Sequence, residues 1–497
     1  MSKNLTIYFM EHLKLLLFAA LIYALFLVWH GYEFGGNDQI EILPYALKIQ
    51  DSSLYANDFH LSYLLQSPIN ERTVVAHLLA IGNGNLAWWT FFLHAFCGIT
   101  LIIAIVKISK QFIDNEYIIY LFLLVYFVFF YKFNLGGNDV FYNQFSGSVA
   151  AKVLVAWAFY FATKNKFWFA VLMCILATFL QTIAGIQGAI LVCVFLLGRA
   201  FFEHGFEGFK SIKLYFFPIA YIACTGYFLY LLFSAFNSSA LTQAELYHIF
   251  ELRLPHHFLP HTFHVLNYAM FSILIFSSLY LSWKSKSPFF FVILVSIIGC
   301  LVYTIGVYSS FPKLFLSTQW FKTTIWVKLF SVMMLFGALE KSRFFQTKYK
   351  YFWEMSLVFM AVIILCFTVL RFNVYQLPFV DYYSPEKDMG EFANQNLPKD
   401  ALIMVQDATA FKYFSQRSEY FNYKSVVHRE DGLKEWFARY ENVYQKEYHK
   451  IPSPAYLEKL KSLGITHILW SLKREQYNFD GLELLKNENN LCLYKIK

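Results

Sequence analysis

Apolar runs separated by short polar stretches dominate residues 1–371. Eleven runs stand out, at 13–30, 86–106, 117–133, 148–163, 166–180, 184–201, 212–235, 264–283, 288–308, 318–339 and 352–371. Most approach the roughly 20 residues with which a helix crosses a hydrocarbon layer, where a helix satisfies its own backbone. The first run has charged flanks but no small-residue cleavage pattern after it, which predicts a retained helix. Beyond Arg371 the pattern changes to prolines, frequent charges and short apolar runs. ALIMV (401–405), ITHILW (465–470) and LCLYKI (491–496) predict strands, and SPAYLEKLKSLG (453–464) predicts a capped amphipathic helix stopped at Gly464. The sequence therefore predicts an α-helical polytopic membrane protein, with about eleven transmembrane helices over 1–371 and a small C-terminal α/β soluble domain over 372–497.

Composition narrows the class further. Of 497 residues, 58% are hydrophobic and 15% charged, and mean hydropathy is +0.44. A soluble chain is nearer half apolar and a quarter charged, so a soluble enzyme, a disordered chain and a nucleic-acid-binding module are excluded. The net charge of +8 lies wholly in the hydrophobic part: 24 Lys+Arg against 16 Asp+Glu over 1–371, and 17 against 17 over 372–497. With the N-terminus inside, one set of loops carries Lys3, Lys14, Lys107, Lys110, Lys164, Lys166, Arg199, Lys210, Lys213, Lys284, Lys286, Lys341, Arg343, Lys348 and Lys350. The opposite loops are mainly acidic, and this asymmetry predicts a cytoplasmic N-terminus and, with an odd span count, an extracytoplasmic C-terminal domain on a bacterial inner membrane. Six of the seven cysteines lie in apolar runs and no CxxC occurs, so a disulfide framework is not expected.

Three loops on the outer side are long: 31–85, 134–147 and 236–263. The first contains two half-apolar stretches, 39–50 and 71–82, expected as helices in the membrane interface, with Asp38 as a candidate cap. Glu33 and Asp38 follow the first run directly, and Asp139 follows the third. Carboxylates at helix exits can serve as a general base or a metal ligand at the lipid head-group level. Asp38 and Asp139 each close a GGND sequence (35–38 and 136–139), whose glycines let backbone approach a ligand closely. The third loop, ELYHIFELRLPHHFLPHTFH (245–264), carries Arg253, His248, His256, His257, His261 and His264. RLPHH suits a phosphate, which a guanidinium grips in two places and imidazoles can hydrogen-bond. HH-x3-H-x2-H offers enough nitrogens for zinc but at no standard spacing. Gln181 and Gln187 in FLQTIAGIQG (179–188) and Lys322 in STQWFK (317–322) are further polar groups on the same side, and Trp320 beside Lys322 suits an interface anchor. Lys322 is a cation where acids prevail, a hint of an anionic partner.

This layout resembles the GT-C superfamily of membrane glycosyltransferases, which use polyprenyl-phosphate-linked sugars. The resemblance rests on the long first outer loop, the acidic residues after the first and third runs, and the terminal soluble domain. The family's adjacent acidic pair in the first loop is replaced by Glu33 and Asp38, five residues apart. The resemblance implies a catalytic base at Asp38 or Glu33. Asp139 is expected to position the acceptor or to join Asp38 around a divalent metal ion, and by position Arg253, with His256 or His257, and Lys322 are the candidates to hold the donor phosphate. FKYFSQRSEYFNYK (411–424) and EWFAR (435–439) also resemble terminal domains of uncharacterised bacterial proteins.

The expected activity is thus inverting transfer of a sugar from a polyprenyl-phosphate donor to a glycan, lipid or protein acceptor on the outer face, with the bilayer as partner and no nucleic acid. The alternatives are a transporter or flippase of a lipid-linked or anionic substrate, for which Lys328 within the tenth run is the best midplane charge, and a non-catalytic membrane scaffold.

Overall fold

The structure is a computed structural model. It describes all residues except 1, 68, 132, 237–239, 310–315, 343–350, 369–375, 407, 428, 444–452 and 472–478. Arg343, Lys348, Lys350 and the last residues of the 352–371 run lie outside the described residues. Among the described residues seven helices are long and apolar enough to cross a membrane: Phe9–His30, Leu86–Ser109, Thr182–Lys210, Leu214–Ser234, Val265–Lys284, Phe289–Tyr308 and Trp320–Glu340. Four shorter apolar helices join them, Glu116–Phe129, Gly147–Thr163, Phe167–Leu180 and Glu354–Ile364. Together they fall one for one on the eleven apolar runs. Their outward residues, including Ile219, Ile273, Phe276 and Leu301, are large, apolar and exposed. That surface is stable against lipid tails, and in water it would be a liability.

The chain divides into two compact units. The first comprises Met1–Tyr32, Phe92–Tyr230 and Phe250–Val374 and holds most of the apolar helices. Its interior is aromatic and small-residue packing: Phe159 and Phe289 both pack on Phe330, at ring distances of 5.0 and 4.2 Å, and a Cβ on Gly188 would collide with Val155. At such positions small residues let helices approach, which van der Waals contact in a membrane requires.

The second unit comprises Glu33–Phe91, Leu231–Ile249 and Tyr375–Lys497, so the first outer loop belongs with the C-terminal segment. The loop stretch 39–50 forms a short 3-10 turn, Asn37–Glu41, and a helix, Leu43–Gln50. Leu43–Gln50 turns Tyr45 into a small core with Leu54, Tyr55, Leu61, Leu64 and Ala76, so its apolar side is used for packing. Asp38 caps neither element: Gly36 and Ile42 hold the cap positions. A further helix, Phe59–Gln66, is capped by Asp58, which accepts from Leu61 N at 3.0 Å.

The C-terminal sheet has β1 (Leu402–Val405), β2 (Ser418–Glu419), β3 (His467–Ser471), β4 (Leu482–Glu488) and β5 (Leu491–Ile496), in the order β2-β1-β3-β5-β4. β1 pairs in parallel with β2 and β3, while β5 is antiparallel to β3 and β4. The three expected strands are β1, β3 and β5. Asn489 and Asn490, both at positive φ, form the two-residue turn of the β4–β5 hairpin. Helix Pro454–Ser462 is capped by Ser453 and followed by Gly464 at φ +78°, as its sequence implied. Helix Pro385–Asn396 places Met389 and Ala393 on Ile403, Leu469 and Leu493 to close the core.

Candidate functional site

One end of the first unit gathers polar residues that are far apart in sequence. Its centre is the 134–139 loop. Gly136 and Gly137 take φ of +75° and +60°, a left-handed backbone that favours glycine. A Cβ on Gly137 would sit 2.7 Å from His256 Cδ2 and 2.9 Å from His257 Nδ1, and one on Gly136 would sit 2.8 Å from Phe321 Cβ. Only glycines allow this loop to touch both RLPHH and the Trp320–Thr323 turn. Its carbonyls are held from all sides. Asn267 Nδ2 donates to Asn134 O (2.7 Å), Thr324 Oγ1 to Leu135 O (3.2 Å) and His257 Nδ1 to Gly136 O (2.9 Å).

Four residues expected to hold a donor phosphate converge here. Arg253 is buried at the C-terminal end of helix Gln243–Arg253. The rings of His256 and His257 lie 4.1 Å apart. Burial, reinforced by Lys322, His256 and Arg253, holds the His257 imidazole well below its ordinary pKa despite the Gly136 carbonyl. His257 is therefore neutral near pH 7. Because a carbonyl can only accept, its proton sits on Nδ1 and its Nε2 is an acceptor. His257 thus braces the loop, and Arg253, Lys322 and the exposed His256 lie close around it. His261 is bonded to Tyr308 Oη at 2.7 Å and His264 caps helix Val265–Lys284, so these two serve local structure. Among the described residues no group of three or more His, Cys, Asp or Glu side chains converges as a metal site.

Asp139 lies in the same loop, and its carboxylate is committed. Both oxygens lie 3.0 Å from Lys328 Nζ, and both residues are buried. Lys328 also donates to Phe130 O at 2.9 Å. Lys152, buried within the apolar helix Gly147–Thr163, donates to Asn138 Oδ1 (2.6 Å) and Asp139 O (2.5 Å). A carboxylate gripped by an ammonium on both oxygens does not fit the expectation of a metal ligand. The midplane cation Lys328, the best sign of a transporter, is the counter-ion of this loop. Lys152 was not singled out in the sequence, although a lysine inside an apolar run is the signal for such a partner.

Glu33 and Asp38 belong to the second unit. Glu33 accepts from Asn37 Nδ2 at 2.5 Å, Gly35 N donates to Gln39 Oε1 at 2.8 Å, and Phe34 N donates to Gln376 Oε1 at 2.7 Å. The turn rests on the C-terminal segment, where a Cβ on Gly35 would meet Phe414 at 3.2 Å and one on Gly36 would meet Thr409 Oγ1 at 3.1 Å. Asp38 is exposed. Its nearby charges are those of Arg72, which forms an ion pair with Glu41. Burial opposes the Arg72 charge, but Glu41, Glu71 and Asp38 together hold it more firmly protonated than usual.

Comparison with known proteins adds three findings. A family model described as a domain of unknown function, DUF6798, matches residues 384–443, which include both stretches singled out in the C-terminal segment. No curated protein matches the chain. Among solved structures the chain is similar to one described as the crystal structure of ArnT from Cupriavidus metallidurans bound to undecaprenyl phosphate. The two are 13% identical over 96% of this chain and 97% of that one, with a TM-score of 0.47.

Proposed function

We propose that the protein is a membrane glycosyltransferase that uses a polyprenyl-phosphate-linked sugar. The observation that carries this reading is the convergence of Arg253, His256, His257 and Lys322 on the Gly136–Gly137 loop, a preorganised cationic cradle at one end of the helical unit. A cradle of this kind stabilises the charge that develops on a departing phosphate, often the largest single term in catalysis. Arg253 and Lys322 supply charge, His256 a hydrogen bond, and His257 the geometry of the loop. Asp139, through Lys328 and Lys152, keeps that loop in place. Transfer needs a base for the acceptor hydroxyl, and this role belongs to Asp38, with Glu33 as its competitor. The acceptor is a glycan, lipid or protein hydroxyl on the extracytoplasmic side of the inner membrane, and the reaction inverts the anomeric centre.

The direct test is transfer of a radiolabelled sugar from a synthetic polyprenyl-phosphate ester by the protein in nanodiscs, with Arg253→Ala as the control. Binding of bare polyprenyl phosphate that is insensitive to Arg253→Ala would overturn the cradle. The orientation has its own test: a reporter active only in the cytoplasm, fused after Lys497, is expected to be silent.

A further inference from the structure

Gln187, Gln319 and Thr182 have no part in the reading above. Helix Thr182–His204 begins with Gln181 as its cap, whose side chain accepts from Ala184 N at 2.6 Å. Gln187, six residues further along, sends Nε2 to Thr318 O (2.8 Å) and Gln319 O (3.2 Å). The Gln319 carbonyl also accepts from Lys322 N at 2.9 Å, and the helix packs on the Trp320–Thr323 turn. Gln319 is thereby held at φ +46°, ψ +48°, a left-handed conformation that a non-glycine residue adopts at a cost and that clusters at ligand sites. Its side chain is 6% exposed, and its Oε1 has no hydrogen-bond partner among the described residues. Thr182, the first residue of the same helix, is equally buried, and its Oγ1 is likewise without one among the described residues.

Buried polar side-chain atoms are normally paired. Here a fixed amide oxygen and a hydroxyl are each without a partner among the described residues, the amide three residues from Lys322 and the hydroxyl on the first residue of the helix whose Gln187 clamps Gln319. An amide oxygen accepts only, so its natural ligand is a donor. A carboxylate or a second phosphate would meet it with the wrong polarity, and an alkyl group would leave it unpaired.

We propose that Gln319, clamped by Gln187 and accompanied by Thr182, forms a subsite that reads hydroxyl groups of the sugar joined to the phosphate. This rests on the phosphate-cradle reading. The cradle holds the phosphate whatever it carries, and the subsite makes a sugar ester bind more tightly than the bare lipid.

The experiment titrates the protein in nanodiscs with decaprenyl phosphate and with its glucosyl, mannosyl and arabinosyl esters. The wild type is expected to prefer at least one ester over the bare lipid. Gln319→Gly keeps the carbonyl that Gln187 and Lys322 bond, and glycine suits the left-handed backbone, so folding is preserved. It should erase roughly three- to tenfold of the ester affinity, the range of one neutral hydrogen bond, and leave decaprenyl phosphate binding unchanged. Thr182→Val should act in the same direction, and Arg253→Ala should weaken every lipid. If the wild type binds the bare lipid and no ester better, or if Gln319→Gly weakens bare lipid and ester equally, the subsite is wrong and the cradle stands. If the wild type binds none of the lipids, the cradle reading fails and takes the subsite with it.

Discussion

The chain uses the sequence GGND twice and folds it two ways. At 35–38 the left-handed residues are Gly35 and Asn37; at 136–139 they are Gly136 and Gly137. The first turn leads into a short 3-10 helix, its Glu33 and Asn37 bond to one another, and Asp38 points its carboxylate to the surface. In the second turn Asp139 is buried against Lys328 while Lys152 holds Asn138 and the Asp139 carbonyl. The difference comes from partners supplied by distant helices. A carboxylate buried among apolar helices needs a cation, because the desolvation cost is otherwise prohibitive. The four-letter match is therefore silent on environment: one aspartate is exposed, and the other is held in a buried ion pair.

The sharpest way to break this comparison is to remove each carboxylate. Asp139→Leu leaves Lys328 charged and buried, which should cost about 3–5 kcal/mol. Asp38→Asn, on the surface, should change stability by less than about 0.5 kcal/mol. Thermal melts in one detergent measure both, and the double variant Asp139→Leu/Lys328→Met should recover much of the loss. Equal destabilisation by the two single substitutions would erase the distinction.

Turnover should show the reverse order. Asp38→Asn is expected to lose about 10²–10⁴-fold in rate, the usual worth of a general base, with the protein still folded. Glu33→Gln and Glu41→Gln made in parallel decide the assignment. If only Glu33→Gln is inactive, the base is Glu33, and three active variants would remove base catalysis from this loop.

A third carboxyl extends the contrast. Glu419 on β2 is buried beside the Asp58–Lys412 ion pair, so that two carboxyls share one ammonium. Burial, against the pull of Lys412, pushes Glu419 up to about 8. The folded state then holds a proton that the unfolded chain releases near the ordinary carboxylate value. Stability from this group is full below about pH 4.5 and is lost as pH rises toward 8, on the order of a few kcal/mol. Glu419→Gln should flatten that dependence in pH-resolved melts, and an unchanged slope would mean that Glu419 is ionised throughout.

Much of this was legible in the sequence. Hydrophobic runs located the eleven apolar helices found among the described residues, because in a membrane the run length is itself the structural requirement. Arg253, His256, His257 and Lys322 were found as polar residues out of place in loops, and they meet in space. The grouping of 33–91 with the C-terminal segment was not legible, since it depends on pairings such as Asp58 with Lys412 across 354 residues. Nor was the fate of Asp139 visible, because Lys152 and Lys328 look like isolated charges until helix packing brings them to one loop. The short β2 and the β4 strand, which mixes its leucines with Glu483, Lys486, Asn487 and Glu488, lacked the apolar runs that betrayed β1, β3 and β5.

Smaller effects should separate the members of the cradle. Arg253→Ala is expected to weaken donor binding about ten- to hundredfold, the range of one charge-assisted bond. Arg253→Lys should rescue it only in part, because an ammonium cannot grip two oxygens in a plane.

The two histidines should then differ from one another. His256 is exposed, so His256→Ala should cost less than about tenfold in donor affinity and nothing measurable in stability. His257→Ala removes the donor to Gly136 O, so it should lower stability by about 0.5–1.5 kcal/mol as well as donor affinity. His257→Asn can place its amide nitrogen where Nδ1 stood, and it should restore most of that stability. The sign of the pH dependence follows from the depressed His257 pKa: the folded state binds fewer protons than the unfolded chain, so stability from this group is full above about pH 6.5 and falls as the solution is acidified. His257→Asn should abolish that acid-side loss, and His256→Ala should leave it in place. Melts from pH 5 to 8, paired with donor titrations, check all three variants. Identical behaviour of the two alanine variants would mean that His257 is not a brace and that both rings meet the phosphate alike.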